Sequence, residues 1–133
     1  LGSFYCTTAP QLVDHATFEK VCEETLESLT EYFEQIVEEA DNLKSGDVSY
    51  SSGVLTVNLG PQFGTYVINR QSPNRQIWLS SPFSGPKRYD FITEENCWVY
   101  KHDGKSLHGL LQNEMSKIVS LEVNFANCMY GKL

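Results

Sequence analysis

The 133 residues contain no nucleophile elbow, Walker loop, glycine-rich dinucleotide fingerprint or His-Glu-x-x-His pair, so the usual sequence marks of acyl transfer, nucleotide binding and zinc proteolysis are missing. Cys-x-x-Cys is absent too. Cys6, Cys22, Cys97 and Cys128 show no paired spacing, which reads as free thiols in a reducing compartment rather than a disulfide frame. His15, His102 and His108 are far apart and read as surface or helix-end residues, with His15 the one that could join an acidic helix face. No Glu-x-x-His pair is present for a di-iron bundle. No apolar run approaches the roughly 20 residues of a membrane span. Bases are scarce: residues 1–47 hold 11 acids and two bases, whereas residues 48–133 hold six acids and eight bases. An acidic pole argues against nucleic acid, whose phosphates need a basic surface, and favours cations or a basic protein.

Much of that pole lies in one stretch, Asp14 to Asp41, which the spacing predicts as a long amphipathic helix. Phe18, Cys22, Leu26, Leu29, Phe33, Ile36 and Ala40 recur at three- and four-residue steps and form one apolar stripe. Asp14 fits as N-cap, with Val13 and Phe18 at the two positions of a hydrophobic staple. Opposite the stripe stand Glu19, Glu23, Glu27, Glu31, Glu34 and Glu38, relieved only by Lys20. Like charges four residues apart oppose the helix by roughly a few tenths of a kcal/mol per pair. Such a face is either a solvated surface or a ridge for cations or a basic partner, and its single sign favours the ridge. Carboxylate oxygens alone suit hard cations that keep several waters, hence weak and labile binding.

Ordinary globular composition, 41% apolar and 20% charged, and this length predict one domain over residues 14–133 behind a loose N-terminal tail over residues 1–13. The chain opens at Leu1 without Met, which would fit a cleaved transit peptide. From Val48 the period changes to two. Strands are expected around Val54–Leu59, Gly64–Gln71, Gln76–Ser81, Lys87–Phe91 and Cys97–Lys101, with turns at Ser72-Pro-Asn-Arg75, Pro82-Phe-Ser-Gly-Pro86 and Asp103-Gly104. A second helix starts near Ser106, with Leu107, Leu110, Leu111, Met115, Ile118 and Val119 on one face. The end of the chain, with Val123, Phe125, Met129 and Tyr130, should pack back on the core. This order predicts an α+β protein: a two-layer sandwich whose antiparallel sheet of about six strands is covered on one face by an N-terminal and a C-terminal helix.

Alternation then says what the other face carries. If Tyr66, Ile68, Ile77 and Leu79 point at the helices, Asn69, Gln71, Gln76 and Trp78 share the open face. An exposed tryptophan ringed by amides has the make-up of an interaction hot spot. Trp98 is given no function, as a core or edge residue.

Three segments make a resemblance: Asp47-Val-Ser-Tyr-Ser-Ser-Gly-Val-Leu-Thr-Val-Asn-Leu59, then Gly64-Thr-Tyr-Val-Ile-Asn-Arg-Gln-Ser-Pro-Asn-Arg-Gln-Ile-Trp-Leu-Ser-Ser-Pro82, then Ser84-Gly-Pro-Lys-Arg-Tyr-Asp90 with Trp98-Val-Tyr. From about Asp14 to Leu121 the chain resembles the frataxin family, in its animal mitochondrial form. The resemblance implies a protein of the mitochondrial matrix, expected to be a monomer with iron-dependent oligomers. It would bind iron weakly, as Fe2+ or Fe3+, and activate iron-sulfur cluster assembly. It would dock on the complex of cysteine desulfurase and its scaffold protein, speed persulfide transfer and deliver Fe(II). The resemblance further implies that Glu19, Glu23, Glu24, Glu27, Glu31, Glu34, Glu38 and Asp47 are the iron set, and that Asn69, Gln71, Gln76, Trp78 and Arg88 touch the partners. Gln35, Lys44 and Ser45 stand where the family places carboxylates or further acids, so the iron set centres on Glu19 to Glu38. The rival it implies is a ferroxidase, an iron-storing protein that oxidises Fe(II) to Fe(III). Preorganised redox-iron sites add histidine and a buried geometry, and the sequence offers neither.

Overall fold

A computed structural model describes residues 13–133. Helix α1 spans His15–Glu39. It begins where Asp14 caps it, accepting the Thr17 N–H at 2.8 Å, and that bond holds the Asp14 carboxyl below its usual pKa. The helix ends two residues before the predicted Asp41, because Ala40 turns extended and Asp41–Leu43 form a short 3-10 turn. All seven residues of the predicted stripe are buried, with Val13, Val21 and Thr25 beside them.

Six strands follow: β1 Asp47–Ser51, β2 Val54–Asn58, β3 Thr65–Gln71, β4 Gln76–Ser81, β5 Gly85–Ile92 and β6 Cys97–Tyr100. They pair antiparallel in sequence order, as a meander whose connections are all short. At the β3–β4 turn the Gln71 side chain accepts the Asn74 N–H at 3.0 Å, and Arg75 takes the left-handed conformation that lets the chain reverse. Register places Asn69 opposite Trp78 and Trp78 opposite Arg88 in one row across β3, β4 and β5.

Helix α2 spans Leu107–Met115, with Ser106 as its cap. It is shorter than the sequence suggests. Ile118 and Val119 lie in turns bonded back to the Met115 carbonyl, and the Asn42 side chain fixes this exit by donating to the Ile118 carbonyl at 2.6 Å and accepting the Ser120 N–H at 3.1 Å. Beyond it the chain packs back as expected, burying Val123, Phe125 and Cys128, although Met129 is exposed.

The two helices and this returning segment cover one sheet face around a core led by Trp98, Tyr66, Tyr89, Phe18, Phe33 and Phe125. Each such apolar side chain contributes about 1.5–3 kcal/mol by leaving water. Trp98 is fully buried and hydrogen-bonded, so its side chain belongs to this core although its strand β6 lies at the edge of the sheet. His108 departs from the expected surface position: it is fully buried, and neither ring nitrogen has a hydrogen-bond partner. Burial alone pushes its pKa down to about 4. The thiols of Cys22, Cys97 and Cys128 are free and buried, and burial pushes Cys22 up to about 12 and Cys128 up to about 11, so they are poor nucleophiles. Cys6 and residues 1–12 of the expected tail over residues 1–13 lie outside the described residues, while Val13 is buried and its carbonyl accepts from Arg75 at 3.0 Å. No described helix is long and apolar enough to cross a membrane.

Candidate functional site

Two surfaces carry the residues expected to act. The first is the wet side of α1, whose carboxylates fall into two groups. Glu27, Glu31, Glu34 and Glu38 are exposed, four or three residues apart along more than three turns. Glu19, Glu23 and Glu24 are only half exposed and are held by side chains from other elements. Arg70, on the inner face of β3, places Nε 3.8 Å from Glu19 and Nη1 3.6 Å from Glu23. The Tyr50 hydroxyl donates to Glu23 at 2.5 Å, and the Ser72 hydroxyl lies 3.3 Å from Glu19. Tyr130 donates to Glu24 at 2.6 Å, a bond that with burial raises the phenol to about 12. Lys20 is therefore not the only base that relieves the face; Arg70 reaches it from the sheet. Asp47 is exposed at the head of β1, opposite Asn58. Among the described residues no three His, Cys, Asp or Glu side chains gather around one point. The ridge thus offers an open strip of carboxylates, which suits a hydrated divalent cation held by one or two of them at a time.

The second surface is the face of the sheet opposite the described helices. Asn69, Gln71, Gln76 and Trp78 lie together there on adjacent strands, as alternation predicts, and Arg88 joins them from β5. Trp78 is half-buried rather than exposed, because the Arg88 guanidinium stacks over its ring at 4.5 Å from the centroid. The amides are fixed rather than loose. Gln76 accepts the Trp78 indole N–H at 2.9 Å and donates to Asp90 at 3.2 Å, while Asn69 donates to the Arg70 carbonyl at 3.2 Å. The result is a rigid aromatic anchor in a polar frame, flanked by a shallow groove of about 270 Å³ lined by Val67, Asn69, Trp78, Ser80, Pro86 and Arg88. Preorganisation of this kind lowers the ordering cost of association.

Asp90 and Lys101 complete this frame and were missed in the sequence. Asp90 is 6% exposed, and its second oxygen sits 3.6 Å from the Lys101 ammonium. The signal was available in Arg88-Tyr-Asp90, where alternation puts Asp90 on the same side as Arg88 and register sets it against Gln76. A larger groove of about 830 Å³ between β5, β6 and α2 is lined by Lys87, Lys105 and Lys132 against Glu95, Asp103 and Glu114, so it presents no single sign of charge.

Comparison with known proteins covers both surfaces. A family model described as a frataxin-like domain matches residues 11–121. The chain is 58% identical over 121 residues to the mitochondrial frataxin homolog of Drosophila melanogaster, covering 89% of this chain and 64% of that protein. It is 53% identical over 103 residues to the mitochondrial frataxin of Caenorhabditis elegans, covering 77% and 75%. The chain thus spans just under two thirds of the length of the Drosophila relative. A trimeric frataxin from the yeast Saccharomyces cerevisiae, solved in complex with ferrous iron, superposes with a TM-score of 0.65 at 35% identity, covering 86% of this chain and 93% of that one.

Proposed function

This chain belongs to the frataxin family and is a mitochondrial protein, and from that premise we propose that it activates iron-sulfur cluster assembly in the matrix by docking on the complex of cysteine desulfurase and its scaffold protein. The observation that carries this reading is Trp78, seated beneath Arg88 in a frame of fixed amides on the sheet face that no described helix covers. A large apolar anchor inside a polar rim is where binding energy concentrates in protein interfaces. Docking there would hold the partner complex against this rigid sheet. The chain's own contribution is binding and orientation, with no bond made or broken on it.

Iron enters as cargo. The exposed carboxylates Glu27, Glu31, Glu34 and Glu38 would take up Fe2+ weakly, keeping most of its water, and the same negative strip would steer a basic desulfurase surface. An open strip supports handing the ion on more than it supports a built ferroxidase centre.

The test is desulfurase turnover on its scaffold, with and without this protein, each in the presence and absence of iron. Stimulation that persists without iron is expected, and would make the Trp78 surface the working part. Stimulation that iron alone reproduces would overturn the activator reading and move iron delivery or oxidation ahead.

A further inference from the structure

Periodicity along α1 treats all its outward glutamates as equivalent, but the sheet beneath does not. Arg70 stands between the patch residues Asn69 and Gln71, yet points the other way, because its register partner Ile77 is on the buried face. The guanidinium rises beside the helix between Glu19 and Glu23, at 3.8 and 3.6 Å. It is seated against Gly53, where a β-carbon would come within 3.1 Å of Arg70 Cζ and where the backbone is left-handed at φ +75°. The Arg70 side chain is 30% exposed. Tyr50 and Ser72 add hydroxyl donors to the same two carboxylates. Glu19 and Glu23 therefore already share one positive charge belonging to the fold, whereas Glu27, Glu31, Glu34 and Glu38 face water.

We propose that Arg70 is a built-in counter-cation that closes the N-terminal end of the ridge, Glu19 and Glu23, to metal ions and so confines cation uptake to Glu27–Glu38. A divalent ion arriving at Glu19 or Glu23 must displace the guanidinium or share the carboxylates with it, and like charges at such spacing repel strongly where solvent screens them only in part. Farther along the helix, no base among the described residues is ion-paired with Glu27, Glu31, Glu34 or Glu38. Arg70 thereby acts as a specificity-determining residue for where the cargo sits. The inference rests on the reading of α1 as a cation ridge and adds the division of that ridge.

The experiment measures Mn2+ binding, as a redox-stable probe, by the free-ion electron paramagnetic resonance signal in six proteins: the parent, E19Q/E23Q, E27Q/E31Q/E34Q/E38Q, R70Q, R70K, and R70Q with E19Q/E23Q. Circular dichroism verifies the fold of each. The first double variant is expected to bind within twofold of the parent, and the quadruple variant to lose tenfold or more. R70Q should gain a site or several-fold in affinity, and that gain should vanish when Glu19 and Glu23 are also replaced. R70K should behave as the parent, since it restores the charge. If E19Q/E23Q weakens binding in the parent as much as the quadruple substitution does, or if a folded R70Q binds as the parent does, the proposal is overturned while the ridge stands. If the quadruple variant binds like the parent, the ridge reading itself fails and takes the division with it. The parent, double and quadruple variants decide the matter even if Arg70 proves necessary for folding.

Discussion

Thr25 and Trp98 meet inside the core: the Trp98 indole N–H donates to the Thr25 hydroxyl at 2.8 Å, and that hydroxyl donates in turn to the Val21 carbonyl at 2.6 Å. Both residues are fully buried, and the rings of Phe18 and Phe91 meet the indole edge-on at centroid distances of 6.1 and 5.1 Å. A single polar contact thus ties α1 to the edge strand β6 and leaves neither buried group without a partner.

Thr25→Val keeps the shape and removes the acceptor, leaving the indole N–H stranded in an apolar site. It should lower the unfolding free energy by about 1–3 kcal/mol, and Thr25→Ser, which keeps the hydroxyl, by distinctly less. Urea denaturation of the two variants provides the check; a valine variant as stable as the parent would mean that the contact contributes nothing.

His108 makes stability depend on pH. The unfolded chain takes up its proton near the ordinary value of 6.5, whereas the buried imidazole does so only at about 4. The unfolded state therefore binds more protons between these values, and stability falls as pH drops through that window, by on the order of 2–3 kcal/mol near pH 4.5. His108→Phe should remove this component. The difference in urea midpoint between variant and parent, measured at pH 7.5 and again at pH 4.5, should shift in favour of the variant at the lower pH.

Trp78→Ala should weaken docking on the desulfurase–scaffold complex by on the order of 2 kcal/mol or more, because it removes the anchor that Arg88 and Gln76 hold in place. Fold and metal binding should be unaffected, since the side chain lies on the face opposite the core. Titration of turnover against protein concentration measures the loss, and full activation by the variant would refute the assignment.

Replacing Glu31, Glu34 and Glu38 together by Gln removes the like-charged pairs Glu27/Glu31 and Glu34/Glu38. Thermal stability should rise, by roughly 0.5–1 kcal/mol at low salt and less at high salt, where the repulsion is already screened. Metal binding should weaken in the same protein. Gain in one property with loss in the other, read from melting curves and Mn2+ titration, would mark carboxylates kept for function rather than for the fold.

The sequence alone determined the elements and their faces. The 3.6-residue stripe of α1, its Asp14 cap, the alternation of β3 and β4 and the short turns between strands are local patterns, written in neighbouring residues and readable without coordinates. They sufficed to give the helix–meander–helix order and to put Asn69, Gln71, Gln76 and Trp78 on one side. What only the tertiary structure decided is where side chains distant in sequence converge. Arg70 among the ridge carboxylates, Asp90 beneath Gln76, Arg88 over Trp78 and Tyr130 on Glu24 depend on how the layers stack and on strand register, which no local period encodes. His108 is the sharpest case. One histidine at the second position of a helix looks alike exposed or buried, and its burial follows only from which elements pack over that turn.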